Sequence, residues 1–308
     1  MIAVLGATGF VGAALTRSLA ESGEPVRALV RDAAKARQRL GDRAEAVELV
    51  VGDMHDADAL DALLTGTRAV YVLVQTVTAR QPSGAGDYAA AERTALAGVI
   101  AAAGRAGVRR LLTVGLIGAD AQAHNPWVRS RSQLETDLLS SGLEVTVLRA
   151  GLVVGAGGTG YDRLLAAASR RTAVILGPGT QRWSYIALDD LVGTLVAALD
   201  EPAAFGAVLD VGSIETPTYR QLIDRTAQAL GTTPPRIVGI PLGLVKGLAP
   251  VLERLGRLPR GGLRTAVDHL GDDLIGDVRT ARAVLPRALL SWEDAVRAAG
   301  SLPATATT

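Results

Sequence analysis

The chain predicts a doubly wound parallel α/β fold, and three observations lead there. Apolar runs of strand length alternate with helix-length patterns through the first two hundred residues, the signature of βαβ units. The first run breaks into three evenly spaced glycines, Gly6, Gly9 and Gly12. The chain has 308 residues, 48% hydrophobic and 20% charged, which is enough to bury one large core with an appendage.

The strands are expected at 2–5, 25–30, 46–51, 68–74, 109–116 and 144–149, with a later one at 207–211. Helices are expected near 10–22, 32–40, 56–64, 87–103 and 128–141. The first helix carries Phe10, Val11, Leu15 and Leu19 and closes at Gly23, a residue type that stops helices because it enters left-handed backbone without strain. Asp32 and Asp56 are placed as N-caps, and Gly66 and Gly142 as further stops. After residue 150 the pattern loosens. Gly155, Gly157, Gly158 and Gly160 suggest a flexible loop, Pro178 and Gly179 a turn, and residues 213–308 read as mostly helical. The expected organisation is a dinucleotide-binding domain over 1–150, to which segments about 178–212 return, and a smaller, mostly helical substrate lobe over 151–308.

The charge is nearly balanced, +1 overall, and no basic run is long enough to track a phosphate backbone. Arg105, Arg109 and Arg110 read as solvated residues around the start of a strand, and no nucleic-acid partner is expected. There are no cysteines, so disulfides, thiolate nucleophiles and cysteine-held metals are excluded. His55 and His269 have no ligand spacing around them, and no metal is expected. With a strand starting at residue 2 and no long uncharged apolar stretch, neither signal peptide nor membrane span is expected, and the expected location is cytoplasmic. Lysine occurs only at 35 and 246; this arginine bias suggests a GC-rich bacterial genome.

Gly6-Ala7-Thr8-Gly9-Phe10-Val11-Gly12 sits between a strand and a helix. Bare backbone N–H groups at a helix N-terminus bind phosphate, because they lack internal partners and carry the positive end of the helix dipole. A Rossmann-type dinucleotide site follows. At the end of the second strand stand Arg31 and Asp32. A guanidinium pairs with a 2′-phosphate, whereas a carboxylate accepts from a free 2′-hydroxyl. Arg31, with Lys35 one turn on, favours NADP(H) over NAD(H); the alternative has both cations solvated and Asp32 turned to the ribose.

The glycine turn, Val26-Arg-Ala-Leu-Val-Arg31, Val51-Gly-Asp-Met54, Ser140 to Gly151, Tyr185 to Leu191 and Leu209-Asp-Val-Gly212 with Thr218-Tyr-Arg-Gln-Leu222 together resemble the atypical and extended short-chain dehydrogenase/reductases, most of all the NmrA-like NAD(P)H-binding group. The resemblance implies further cofactor contacts at Asp53, Met54, Val74, Gln75, Arg131, Ala150, Gly151 and Leu152. Asp53 has the adenine-recognising place; as a plain turn former it would serve only the backbone.

The catalytic pattern of that superfamily is missing. A Tyr-x-x-x-Lys pair works because the lysine, one turn on, lowers the tyrosine pKa. Here Trp127 stands at the tyrosine position, Arg131 at the lysine position and Leu116 where a serine belongs. Trp127 and Leu116 read as pocket walls. Arg131 reads either as a fixed cation on the nicotinamide ribose or as a surface residue of its helix. His124, Tyr88 and Tyr161 lie near loops on the crevice side and are candidate proton donors. The leading expectation is an NADP(H)-dependent oxidoreductase reducing a small carbonyl, enone or quinone, with aromatic or quinone-like substrates and a setting in secondary metabolism. The alternatives are a non-catalytic NADP(H)-binding sensor or regulator, and an isomerase, cyclase or coupling enzyme on the same fold.

Overall fold

A computed structural model describes residues 1–74, 85–244, 247 and 273–300; for 85–88 the backbone alone is described. It divides into two compact units, one made of Met1–Arg149, Val192–Asp210 and Thr280–Pro286, the other of the remaining described residues.

The first unit is built on a seven-stranded sheet. Its strands are β1 (Ile2–Leu5), β2 (Val26–Val30), β3 (Val47–Val51), β4 (Ala69–Val72), β5 (Arg110–Leu116), β6 (Glu144–Ala150) and β10 (Val208–Val211), in the order β3-β2-β1-β4-β5-β6-β10. β1 lies parallel between β2 and β4, with Ile2 opposite both Val26 and Ala69, so the strand order reverses beside β1. β1 and β4 are buried at every residue, which is why they read as unbroken apolar runs rather than alternating ones.

The helices of this unit include α1 (Phe10–Glu21), α2 (Ala33–Leu40), α3 (Ala57–Leu64), α4 (Ala85–Ala106) and α5 (Pro126–Leu139). Asp32 caps α2 by accepting from the Lys35 amide at 3.0 Å, and Asp56 caps α3 by accepting from Ala59. α1 ends where Gly23, at φ +81°, turns the chain out of the helix. Leu60, Leu63, Val70, Val99, Leu111 and Val147 pack into one core beneath the sheet. α5 starts two residues earlier than its apolar pattern suggests, because Asn125 caps it and Pro126 opens it; proline at the first helical position has no amide to leave unpaired.

Arg110 corrects the sequence expectation. It is not solvated: only 6% of it is exposed. Nε donates to Leu199 O at 3.0 Å, Nη1 to Glu144 O and Nη2 to Ala198 O at 2.6 Å each, and Nη2 also reaches Thr146 Oγ1. Its guanidinium carbon lies 4.2 Å from the Phe205 ring centre. The accepting carbonyls of Ala198 and Leu199 lie at the end of α7 (Leu188–Ala198), where helical carbonyls have no internal partner. Sequence pattern misses this, since a strand-edge arginine looks the same whether or not a helix end folds onto it. Arg105 and Arg109 are exposed.

The second unit holds two small parallel sheets that the expected helical region did not contain. β7 (Leu152–Val154) pairs with β9 (Tyr185–Ala187), and β8 (Thr172–Leu176) with β11 (Arg236–Ile240). At three to five residues each they are too short for periodicity to separate from buried loop. The glycines at 155–160 form a turn rather than a slack loop: Gly158 N donates to Gly155 O, Asp162 accepts from Gly157 N, and α6 (Thr159–Ala168) begins at once. α6, α8 (Tyr219–Ala229) and α10 (Trp292–Ala299) supply Tyr161, Leu164, Leu222, Ile223 and Trp292 to this unit's core. Trp292 meets Tyr185 edge-on at 5.0 Å and donates to Thr226 Oγ1. A further helix, α9, spans Val278–Val284. No helix among the described residues is long and apolar enough to cross a membrane.

Candidate functional site

The glycine turn is built as a phosphate cradle has to be. Gly6 sits at φ +88°, and a Cβ there would lie 2.8 Å from the Leu73 carbonyl group, so only glycine lets the end of β1 pass the segment leaving β4. A Cβ on Gly12 would collide with the Gly6 carbonyl. Gly9 is the N-cap of α1, with extended backbone and no side chain capping the helix. The first-turn amides, Phe10 to Gly12, therefore have neither helical acceptors nor a side-chain cap. Ala7 and Gly12 are buried, Thr8, Phe10 and Val11 half-buried, and Gly9 exposed. Bare amides, the positive end of a twelve-residue helix and their place beside the strand-order reversal fit a dinucleotide pyrophosphate.

On the β2 side, Arg31 and Lys35 are exposed. Neither takes part in an ion pair among the described residues. One carboxylate oxygen of the exposed Asp32 caps α2. Asp53 is exposed and accepts from the His55 amide at 3.0 Å, and its carbonyl accepts from Asp56 N; one carboxylate oxygen thus shapes the turn. Met54 and Val74 lean half-buried on the core. Gln75 lies outside the described residues.

The carboxyl ends of β5 and β6 carry a group of charges that the sequence reading did not assemble. Arg131 on α5 is buried. Its Nη1 and Nη2 face the two carboxylate oxygens of Glu92 on α4, the first at 3.0 Å. Among the described residues Nε is buried with no hydrogen-bond partner. This rules out the surface-residue alternative for Arg131. The Trp127 ring centre is 6.0 Å from the guanidinium carbon. One turn further along α5, Glu135 accepts from Arg149 Nε at 2.8 Å and Nη2 at 2.5 Å, both on Oε2. Its Oε1 lies against Gly115, where a Cβ would strike it, and the Leu116 amide acts on the same carboxylate. Burial pushes the Glu135 carboxyl above the usual range, against the downward pull of Arg149. Leu116 ends β5 half-buried, and Trp127 is half-buried.

The candidate proton donors differ in their surroundings. His124 is exposed in the loop before α5, its carbonyl accepting from Arg129. Tyr88 belongs to α4 by backbone, and its side chain lies outside the described residues. Tyr161 is fully buried in the core of the second unit, its hydroxyl without a partner, and burial with Asp162 nearby pushes it up to about 12. In the same unit Ala150 and Leu152 are buried, Leu152 N donates to Ser184 O at 3.0 Å, and Gly151 packs on Ser184 too closely for a side chain.

Glu92, Asn125, Glu135 and Arg149 are the polar groups that sequence reasoning missed. Glu135 had a faint signal, four residues after Arg131 and so on the same helix face. Glu92, in an alanine-rich run 39 residues from its partner, had none.

A family model described as NAD(P)H-binding matches residues 6–202. A 3-diazoavenalumate denitrifying reductase of a Streptomyces species is 32% identical over 264 residues, covering 76% of this chain and 83% of that protein. Subunit 9 of the NADH dehydrogenase (ubiquinone) 1 alpha subcomplex from Arabidopsis thaliana mitochondria is 25% identical over 257 residues, 80% of this chain and 61% of that one. Among solved structures, an NADPH-dependent quinone oxidoreductase from Escherichia coli complexed with NADPH superposes with a TM-score of 0.75 at 21% identity, covering 97% of this chain and 99% of that one; at that identity the likeness speaks for the fold. The chain belongs to the NAD(P)H-binding family.

Proposed function

We propose that this protein is an NADP(H)-dependent reductase of a small carbonyl, enone or quinone compound. The observation that carries the reading is the pairing of a bare glycine cradle with Arg31 and Lys35, two exposed cations outside any described ion pair, while one oxygen of Asp32 caps its helix. A 2′-phosphate pairs with Arg31, whereas at Asp32 one carboxylate oxygen already accepts from the Lys35 amide. The cofactor, when bound, supplies the hydride. The chain's residues hold the pyrophosphate on the amides of Phe10 to Gly12 and present Arg131 on the half of the sheet that takes the nicotinamide. Neither Trp127 nor Leu116 has an acidic proton to give. This favours acceptors whose reduced form is already a stable anion, such as quinols and enolates.

A second reading is supported by the same region. Trp127, Arg131 and Leu116 replace the reacting residues of the superfamily, and one relative is a respiratory-complex subunit. A protein that binds the dinucleotide without turning it over, as a sensor or regulator, fits those replacements.

One experiment separates them. NADPH, NADP⁺ and NADH are titrated against the wild type and Arg31→Ala, and single-turnover NADPH oxidation is followed with a panel of quinones and enones. The reductase reading expects NADPH to bind at least about tenfold tighter than NADH, most of that margin to be lost in Arg31→Ala, and absorbance loss with at least one acceptor. Tight binding with no consumption across the panel supports the sensor and overturns the reductase.

A further inference from the structure

The strand order β3-β2-β1-β4-β5-β6 divides a dinucleotide between two halves of the sheet. The glycine turn follows β1 and Arg31 ends β2, so the adenosine phosphate half lies over β1 to β3 and the nicotinamide half over the carboxyl ends of β4 to β6. On that second half α5 carries Arg131 and Glu135, paired with Glu92 and Arg149 respectively.

The four side chains form two neutral pairs. Arg131 is paired end-on, both Nη atoms toward Glu92, which leaves its Nε edge buried and, among the described residues, unpartnered. Arg149 is paired side-on through Nε and Nη2 to Glu135. The neighbouring Arg93 is exposed and pairs with Asp137, and Arg129 is exposed and donates to backbone carbonyls. The buried cation of α5 is thus cancelled by a carboxylate from a different helix, in surroundings where water screens little.

Oxidised and reduced nicotinamide differ by one positive charge on the ring. An uncancelled buried cation on the same half of the site would penalise the oxidised form and leave the reduced form nearly untouched. We propose that Glu92 is a positioning residue that sets the relative affinity for NADP⁺ and NADPH, by cancelling the charge of Arg131 and fixing its guanidinium with the Nε edge outside the pair. The inference rests on the dinucleotide reading given above. It gives the protein comparable affinity for both redox states, where a lone cation at the same place would favour NADPH.

The test is the ratio of the two dissociation constants, measured by fluorescence or calorimetric titration without any substrate. In Glu92→Gln the NADP⁺ constant is expected to rise about tenfold relative to the NADPH constant, the size of a modest uncompensated charge interaction. In Glu92→Gln/Arg131→Met, which removes both charges, the ratio returns to the wild-type value. Should the lone cation keep Glu92→Gln from folding, Glu92→Ala prepared with formate is used, since formate replaces the missing carboxylate; withdrawing formate should move the ratio in the same direction. A ratio that stays at the wild-type value in Glu92→Gln, or that ignores formate in Glu92→Ala, overturns the proposal while the cofactor reading stands. Wild-type protein that binds neither nucleotide overturns the cofactor reading, and the proposal with it.

Discussion

Two arginines of the first unit, one at each end of β5, are both buried and could hardly be used more differently. Arg110, at the amino end, spends Nε and both Nη groups on three backbone carbonyls and a threonine hydroxyl, and stacks on Phe205. Arg131, on the helix that follows the carboxyl end, holds one carboxylate and keeps Nε unpartnered. Asn125 Nδ2, at the N-cap of the same helix, is also buried and without a partner among the described residues. Buried polar groups are nearly always satisfied, so a saturated end marks structure and an end with leftover donors marks a place prepared for something else. Ligands of open α/β sheets bind at the carboxyl ends, and Arg131 stands on the helix that follows the carboxyl end of β5.

The largest expected effect tests the saturated end. Arg110→Met strands the carbonyls of Glu144, Ala198 and Leu199, which no second mutation can remove because they are backbone. A loss of about 3–5 kcal/mol is expected, read as a drop in thermal midpoint, with the NADPH constant of the folded fraction unchanged. At the other end the partners are both side chains. Glu92→Gln/Arg131→Met should stay within about 1 kcal/mol of wild type in the same scan, since a buried ion pair replaced as a whole is often neutral, although losing one member alone costs about 3–5 kcal/mol. If the double variant is as unstable as Arg110→Met, the two ends are not different in kind.

The smallest effect is in pH dependence, where Glu135 contrasts with Glu293 of the second unit. Burial raises the Glu135 pKa in the fold, so the native state binds the extra proton and stability falls as pH rises from about 4.3, the ordinary glutamate value, through the raised one. Glu293 is held below the usual range by hydrogen bonds from Arg225; its stabilisation is present above about 4.3 and is lost as pH falls through the lowered value. Glu135→Gln should therefore gain on wild type as pH rises through its window, and Glu293→Gln should lose its deficit in acid. Thermal midpoints measured from pH 3 to 8 give both slopes, and slopes of the same sign would contradict the assigned environments.

Much of the fold is legible in the chain because its cues are local. The spacing of Gly6, Gly9 and Gly12, the caps at Asp32 and Asp56 and the stop at Gly23 each work within a few residues, and the structure repeats them. The site is legible by halves. Its phosphate side is written in consecutive residues, whereas its α5 side depends on pairs from separate elements, Glu92 with Arg131 and Glu135 with Arg149.

The sequence by itself determined the alternation of strands and helices, the bare glycine turn and the replacements at 116, 127 and 131, since backbone propensity and residue chemistry act over short range. Only the tertiary structure decided that Arg110 is sealed against a helix end, that Arg131 is buried with its charge cancelled, and that the Tyr161 hydroxyl lies in a core. Burial and charge pairing depend on which distant segments the fold brings together, and no local pattern encodes that.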